Sequence, residues 1–375
     1  MNFGFTEEQE LLRAEVRKFL DENASLEEVR SQCESEEGFD RKLWEKMSEL
    51  GFVGLTIPEE HGGAGLDLVT LLVLLEETGR SLLPSPLIST VMAAHAIQRF
   101  GSDEQRARWL PGLADGSRIG TMALLEPSDD LSPMGLHLQG KVDGAETIFS
   151  GRKLFVPDAG KADLFIVAFR SGPAADDVGL AVVERETEGV STLNSAAMDL
   201  TKQLGSLELD HVRVGTDCVL SPEKGGWWVV QSLIDLGAAL VTGETVGAAE
   251  GALTITAEFA KDREQFGSKI GRYQGVKHPL AEMYVDIESY KSLVYYAFWA
   301  LDENEEDAAL AVSRAKAYAS ETFPMAGING VQLHGGVGYT WEYDIQLYLK
   351  RGKWMRPMYG DADYHYDRIA HLGGL

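Results

Sequence analysis

Asp262-Arg263-Glu264-Gln265-Phe266-Gly267, joined further along by Gln274 and by Gln332-Leu333-His334-Gly335-Gly336, is the part of this chain that says most about it. Arg263 brings a permanent forked cation, and Gln274 and Gln332 bring amide donors. Gly335-Gly336 has no Cβ, so backbone there can come very close to a ligand. An anion such as a dinucleotide pyrophosphate is held best by arginine and by bare N–H groups. No Gly-x-Gly-x-x-Gly turn between a strand and a helix accompanies the set, so it does not read as a Rossmann site.

Bulk composition bounds that reading. The chain has 375 residues, 44% hydrophobic and 25% charged, the make-up of a soluble globular protein with a large core in two or three domains or one elaborated one. Its formal net charge of −25 repels nucleic acid and anionic membrane, so a bound phosphate must rely on local cations such as Arg263. Cys33 and Cys218, the only cysteines, are far apart and lack metal-ligand spacing. This argues against zinc and disulfide scaffolds and fits a reducing cytoplasm. No metal is expected. Met1-Asn2-Phe3-Gly4 turns acidic at once, unlike a signal peptide, and no apolar run approaches the ~20 residues that span a bilayer.

The texture changes twice along the chain. Residues 1–117 read as a helical domain. Thr6 and Gln9 suit a capping box, and Leu12, Val16, Phe19 and Leu20 share a face. Leu43, Met47 and Leu50 repeat the helical spacing. The loop from Pro58 to Gly65 interrupts it, Leu68, Leu71, Leu72 and Leu75 resume it, and a further helix is expected from Ser89 to Phe100. Residues 118–222 read as a β domain, with apolar runs at 121–125, 164–169, 180–183 and 207–214 and a hairpin loop at Ser171–Asp177. Helices return after Gly225-Gly226, giving a third domain over 223–375. Met283, Ile287, Tyr290, Val294, Ala297 and Leu301 form an amphipathic stripe, and Ala308–Ala326 reads as another helix after an acidic break.

Arg263-x-x-Phe266-Gly267, the later Gln274 and Gln332-x-x-Gly335-Gly336 together resemble the flavin-binding pattern of acyl-CoA dehydrogenases, and Pro58-Glu59-Glu60-His61-Gly62-Gly63 fits as well. The resemblance covers nearly the whole chain. It implies an α+β fold with an N-terminal helical domain, a middle β-barrel or sandwich domain and a C-terminal four-helix bundle. It also implies that Arg263, Gln265, Phe266, Gln274, Gln332, Gly335 and Gly336 bind the ADP half of an FAD, which in that family they reach from the neighbouring subunit. The family removes two hydrogens from an acyl-CoA thioester. A carboxylate takes the α proton, the flavin receives the β hydride, and the protein supplies position and electrostatics.

The chain departs from the family at two other parts of the site. The family holds the isoalloxazine ring with Thr-Glu-Pro-x-x-Gly-Ser-Asp and a later Trp-x-Ser/Thr; here stand Leu125-Glu126-Pro127-Ser128-Asp129-Asp130-Leu131-Ser132 and Phe155-Val156-Pro157. Pro157 has neither a hydroxyl nor an N–H to donate. The base of the family sits at one of two positions, which fall here on Gly360 and Gly237, and glycine cannot take a proton. Asp361, adjacent to the first, is a weak candidate against the reading of a capping aspartate. Glu244, two turns beyond Gly237, is ~10 Å away at about 1.5 Å per residue. Asp235 lies about 200° round the helix from Gly237.

Three readings follow. One is the non-catalytic subunit of a heteromeric FAD-dependent acyl-CoA dehydrogenase, paired as α2β2 with a catalytic paralogue. Tyr348-Leu349-Lys350-Arg351 and Gly360-Asp361-Ala362-Asp363 resemble the actinobacterial members acting on steroid side-chain CoA thioesters, and electron-transferring flavoprotein is the family's default acceptor. The second is a self-sufficient homo-oligomeric dehydrogenase with a relocated base. The third is a non-enzymatic scaffold on the same fold, against which the retained Arg263, Gln274 and Gln332 argue. Of the remaining residues, His278 and His334 read as packing or surface histidines, Trp227-Trp228 as joint packing and Tyr339 and Trp341 as packing of a turn.

Overall fold

The computed structural model describes residues 4–35, 37–220 and 226–375. The Met1-Asn2-Phe3 start and Gly225 of the Gly225-Gly226 pair lie outside the described residues. Helices come first: α1 (Glu7–Asn23), α2 (Leu26–Cys33), α3 (Arg41–Glu49), α4 (Leu68–Arg80), α5 (Leu87–Phe100) and α6 (Asp103–Ala114). Strands follow: β1 (Gly120–Ala123), β2 (Gly140–Asp143), β3 (Glu146–Pro157), β4 (Leu164–Arg170), β5 (Val178–Glu184), β6 (Val190–Ser195), β7 (Leu204–Gly215) and β8 (Val219–Leu220). The last part is α7 (Trp227–Asp262), the short strands β9 (Glu264–Gln265) and β10 (Ser268–Lys269), α8 (Gln274–Asp302), α9 (Ala308–His334), α10 (Ile345–Met355) and α11 (Ala362–Leu372). The expected order of helical, stranded and helical regions is the order observed.

The chain gathers into two compact units, one made of Met1–Glu34, Leu68–Pro84 and Asp235–Leu375, the other of Ser35–Asp67 and Ser85–Ile234. The N-terminal helices are therefore divided, with α1, α2 and α4 gathering with the C-terminal helices and α3, α5 and α6 with the strands.

In the helical unit, α1 starts on the expected capping box of Thr6 and Gln9. Arg17 grips Glu77 of α4 through two hydrogen bonds of 2.7 and 2.9 Å. Helix α4 is buried nearly all round, and it meets α7 backbone to backbone. A Cβ on Gly79 would lie 1.8 Å from the Glu244 carbonyl oxygen, and one on Gly247 would lie 1.7 Å from that of Glu76. Only glycine permits that approach. The stripe on α8 is buried at Met283, Ile287, Tyr290, Val294 and Ala297, with Phe298 and Ala300 beside it; Leu301 is half-buried. Helix α9 runs eight residues past its expected end. By length and composition α7 is apolar enough to cross a membrane, contrary to the sequence expectation. Yet 89% of its most apolar window is buried in the protein, so its apolarity serves the core.

The other unit holds two four-stranded sheets, ordered β1-β4-β5-β8 and β2-β3-β7-β6. β1 runs parallel to β4, and Ser171–Asp177 joins β4 to its antiparallel neighbour β5. Phe149 of β3 and Phe169 of β4 meet edge to face at 5.0 Å between the sheets. β3 was not visible in the sequence because register shifts at Phe149/Gly151 and Lys153/Val156 break its alternation. Leu50, which continues the helical spacing of Leu43 and Met47, caps the end of α3 and is 55% exposed. Trp44 is buried instead, its indole N–H donating to the Gly116 carbonyl at 2.9 Å.

Candidate cofactor site

The residues of the expected ADP grip converge at one end of the helical unit. The side chain of Phe259, one turn before the end of α7, stacks on His334 at the end of α9 with ring centroids 4.2 Å apart. The His334 ring also bonds the Gly330 carbonyl at 2.8 Å. His334 is thus a packing residue that joins the end of α7, four residues before Arg263, to the end of α9, where Gly335-Gly336 follow. Gly271 packs on the other flank of α7, where a Cβ would come 3.0 Å from the Ala260 carbonyl oxygen. That contact leads straight into Gln274, the first residue of α8.

Between these ends β9 and β10 form a hairpin whose two turn residues, Phe266 and Gly267, have φ of 54° and 75°. Two successive positive φ values make the type I′ turn that matches strand twist. Phenylalanine is a poor residue for that conformation, at roughly 1 kcal/mol. Its ring is 93% exposed. The Tyr273 hydroxyl braces the turn by donating to the carbonyls of Gln265 and Phe266, each at 3.2 Å.

Arg263, Gln265, Phe266, Gln274, Gln332, Gly335 and Gly336 are all exposed on this chain, and among the described residues Arg263 has no ion-pair partner. Gly335 needs glycine for its own backbone, at φ 66° and ψ −144°. Gly336 does not, and a Cβ there would meet nothing within 4 Å. Among the described residues nothing requires its bareness. The set fits an outward-facing grip on a diphosphate.

The loop expected to face a flavin ring is closed on itself in the strand unit. Glu126 is 5% exposed. It accepts from the backbone N–H groups of His137 and Leu138 at 2.9 and 3.0 Å and from Lys153 Nζ at 2.7 Å. Burial pushes the Lys153 ammonium down to about 8, against the pull of Glu126. Glu126-Pro127 therefore matches the family for a structural reason. The Ser128 hydroxyl donates to the Gly135 carbonyl at 3.1 Å, and Ser132 Oγ accepts from the Met134 N–H at 3.2 Å. Leu124, Leu125, Leu131, Ser132, Trp227 and Ile234 are among the residues round a cavity of only about 10 Å³, room for one water at most. The side chains of Glu126, Ser128 and Ser132 are thus engaged within the loop and its neighbours.

The acidic candidates are all engaged in the helical unit. Asp361 caps α11, accepting from the Tyr364 N–H at 3.0 Å. Glu244 is buried and ion-paired with Arg351 at 3.0 Å. Asp235 pairs with Arg368 at 2.8 Å, and burial pushes its carboxyl up to about 6. His278 is exposed. Tyr339 is 78% exposed, so it does not pack the turn as expected, whereas Trp341 lies under Lys350 Nζ at 4.9 Å. Sequence reading passed over Lys316, fully buried in α9. Its position between Val312 and Phe323 on the apolar stripe was the available signal.

Comparison with known proteins agrees with this geometry. The family model "Acyl-CoA dehydrogenase, N-terminal domain" matches residues 6–117 and "Acyl-CoA dehydrogenase, C-terminal domain" matches residues 224–372. The acyl-CoA dehydrogenase IpdE2 of Mycolicibacterium smegmatis is 34% identical over 347 residues, 92% of each chain. The chain belongs to the acyl-CoA dehydrogenase family. Among solved structures, a variant of the Tcur3481-Tcur3483 steroid ACAD is 33% identical with a TM-score of 0.89, 98% of each chain being covered. The ChsE4-ChsE5 complex from Mycobacterium tuberculosis is 28% identical with a TM-score of 0.90, covering 100% of this chain and 99% of that one. The fold is that of the acyl-CoA dehydrogenases, and the activity the chain serves is acyl-CoA dehydrogenation.

Proposed function

We propose that this chain is the non-catalytic subunit of a heteromeric, FAD-dependent acyl-CoA dehydrogenase, cytoplasmic and assembled as α2β2 with a catalytic paralogue. It lends the ADP grip of Arg263, Gln265, Phe266, Gln274, Gln332, Gly335 and Gly336 to a flavin whose ring the partner holds. The observation that carries the reading is an asymmetry. The residues expected to grip the diphosphate are all exposed, including a bare Gly336 where a Cβ would meet nothing within 4 Å. In the ring-side loop Glu126, Ser128 and Ser132 make internal hydrogen bonds, and glycine stands at both expected seats of the base. When bound, the flavin supplies the hydride chemistry; this chain supplies position and charge.

Similarity to a steroid ACAD supports a bulky acyl-CoA, such as a steroid side-chain thioester, as substrate. Electron-transferring flavoprotein is the acceptor by family analogy. The second reading, a self-sufficient enzyme using Asp361, is opposed by that carboxylate's engagement as a helix cap.

The test is co-expression with a neighbouring paralogue, with Arg263→Ala and Asp361→Asn introduced in this chain. Removing a charge-assisted contact worth about 1.5–3 kcal/mol weakens flavin retention in the complex by roughly 10- to 150-fold. Asp361→Asn leaves turnover near wild type. Unchanged flavin content in the first variant rejects the shared site, and a loss of ~100-fold or more in the second restores Asp361 as a base.

A further inference from the structure

We infer that Tyr273 is a positioning residue for the diphosphate grip, holding the β9–β10 hairpin in one shape and joining it to the start of α8. The hairpin needs such help. Its strands are two residues each, pairing Gln265 with Ser268 and Glu264 with Lys269, and so short a ribbon is marginal in water. Its turn adds to the difficulty. A type I′ turn asks for two left-handed residues, a place suited to Asn-Gly, and here Phe266 stands at φ 54° ahead of Gly267. A bulky side chain stays in that region only where its surroundings enforce it. Other ties are few in kind. The Ile270 N–H donates to the Arg263 carbonyl at 2.9 Å, and Lys269 Nζ donates to the Asp262 carbonyl at 2.7 Å. The Lys269–Glu264 ion pair at 3.2 Å is exposed and adds little.

Tyr273 acts on the turn from outside the two strands. Its hydroxyl is shared between the carbonyls of Gln265 and Phe266, each at 3.2 Å. Those carbonyls belong to the peptide planes on either side of Phe266, so one phenol pins both. The Tyr273 ring also stands edge-on to the Phe266 ring, with centroids 6.4 Å apart. The same residue opens α8. It is the N-cap, no side chain caps that helix, and the N–H groups of Val276 and Lys277 both donate to its carbonyl at 3.0 Å. Gln274 follows it directly. A single residue thus ties Gln265 and Phe266 on the hairpin to Gln274 on the helix. Without the hydroxyl the turn passes among other shapes, and the apparent affinity for a diphosphate falls with the fraction of chains whose grip is formed.

This role rests on the proposed grip, whereas the shape of the turn is read without flavin or partner. Tyr273→Phe keeps the ring and removes the hydroxyl alone. Amide hydrogen exchange over residues 264–270 of the full chain quickens by roughly 2- to 12-fold, the net worth of a hydrogen bond, while the thermal midpoint stays close to wild type. Adding Phe266→Asn restores the protection, because Asn-Gly favours the type I′ turn by itself. In the complex with the paralogue, Tyr273→Phe weakens flavin retention by roughly 2- to 10-fold. Unchanged exchange in Tyr273→Phe, or no rescue by Phe266→Asn, overturns the inference. So does unchanged flavin retention in Tyr273→Phe where Arg263→Ala lowers it. Unchanged retention in both variants rejects the grip itself, and the role with it.

Discussion

Single residues carry the argument where their surroundings contradict their type. Lys316 is the sharpest case, a lysine with no exposure. Burial pushes its ammonium down to about 7, with Arg356 adding to the effect and Asp361 opposing it. His365, pressed down to about 3 chiefly by burial, is neutral beside it. Between about pH 7 and the ordinary lysine value the unfolded chain holds a proton that the folded chain has released. Stability from this group therefore rises with pH through that window and is lowest below it. Relative to Lys316→Met, the wild-type chain gains about 2 kcal/mol between pH 6.5 and 9, measured by urea unfolding at each pH. A flat difference would mean that Lys316 keeps its charge in the fold. In sequence the only mark of this was the position of Lys316 on the apolar stripe of α9, since a lysine in an alanine-rich helix otherwise reads as solvated.

Elements show what spacing reveals and what it hides. The α8 stripe and the Thr6 cap were legible, since both depend on residues three and four apart. The bulged β3 was not. Nor was the joint between α7 and α10, where Glu244 and Arg351 pair across more than a hundred residues of sequence with side chains about 3% and 0% exposed. Arg351→Met leaves a buried carboxylate without that cation and costs about 3–5 kcal/mol, measured by denaturant unfolding. Glu244→Leu with Arg351→Met recovers most of the loss, since an apolar pair of similar volume avoids the desolvation of both charges. A double variant as unstable as the single one would show that the pair's geometry, not its charge, holds the joint.

At the scale of the molecule, the outward grip and the closed ring-side loop make a count the natural test. A complex with its paralogue is expected to hold two flavins per four chains, read by absorbance against protein concentration after gel filtration. Four flavins, or one on the isolated chain, would speak for a self-sufficient enzyme. The sequence by itself determined the order of helical and stranded regions, and it supplied the residues proposed to grip the diphosphate and the glycines at the two expected seats of the base. Periodicity and side-chain chemistry are local properties. Only the tertiary structure decided that the grip converges through the Phe259–His334 stack and faces away from its own chain. It likewise decided that Glu126 is occupied by Lys153. These depend on which surfaces meet once the chain has folded back on itself, and no local spacing encodes a contact between residues so far apart in sequence.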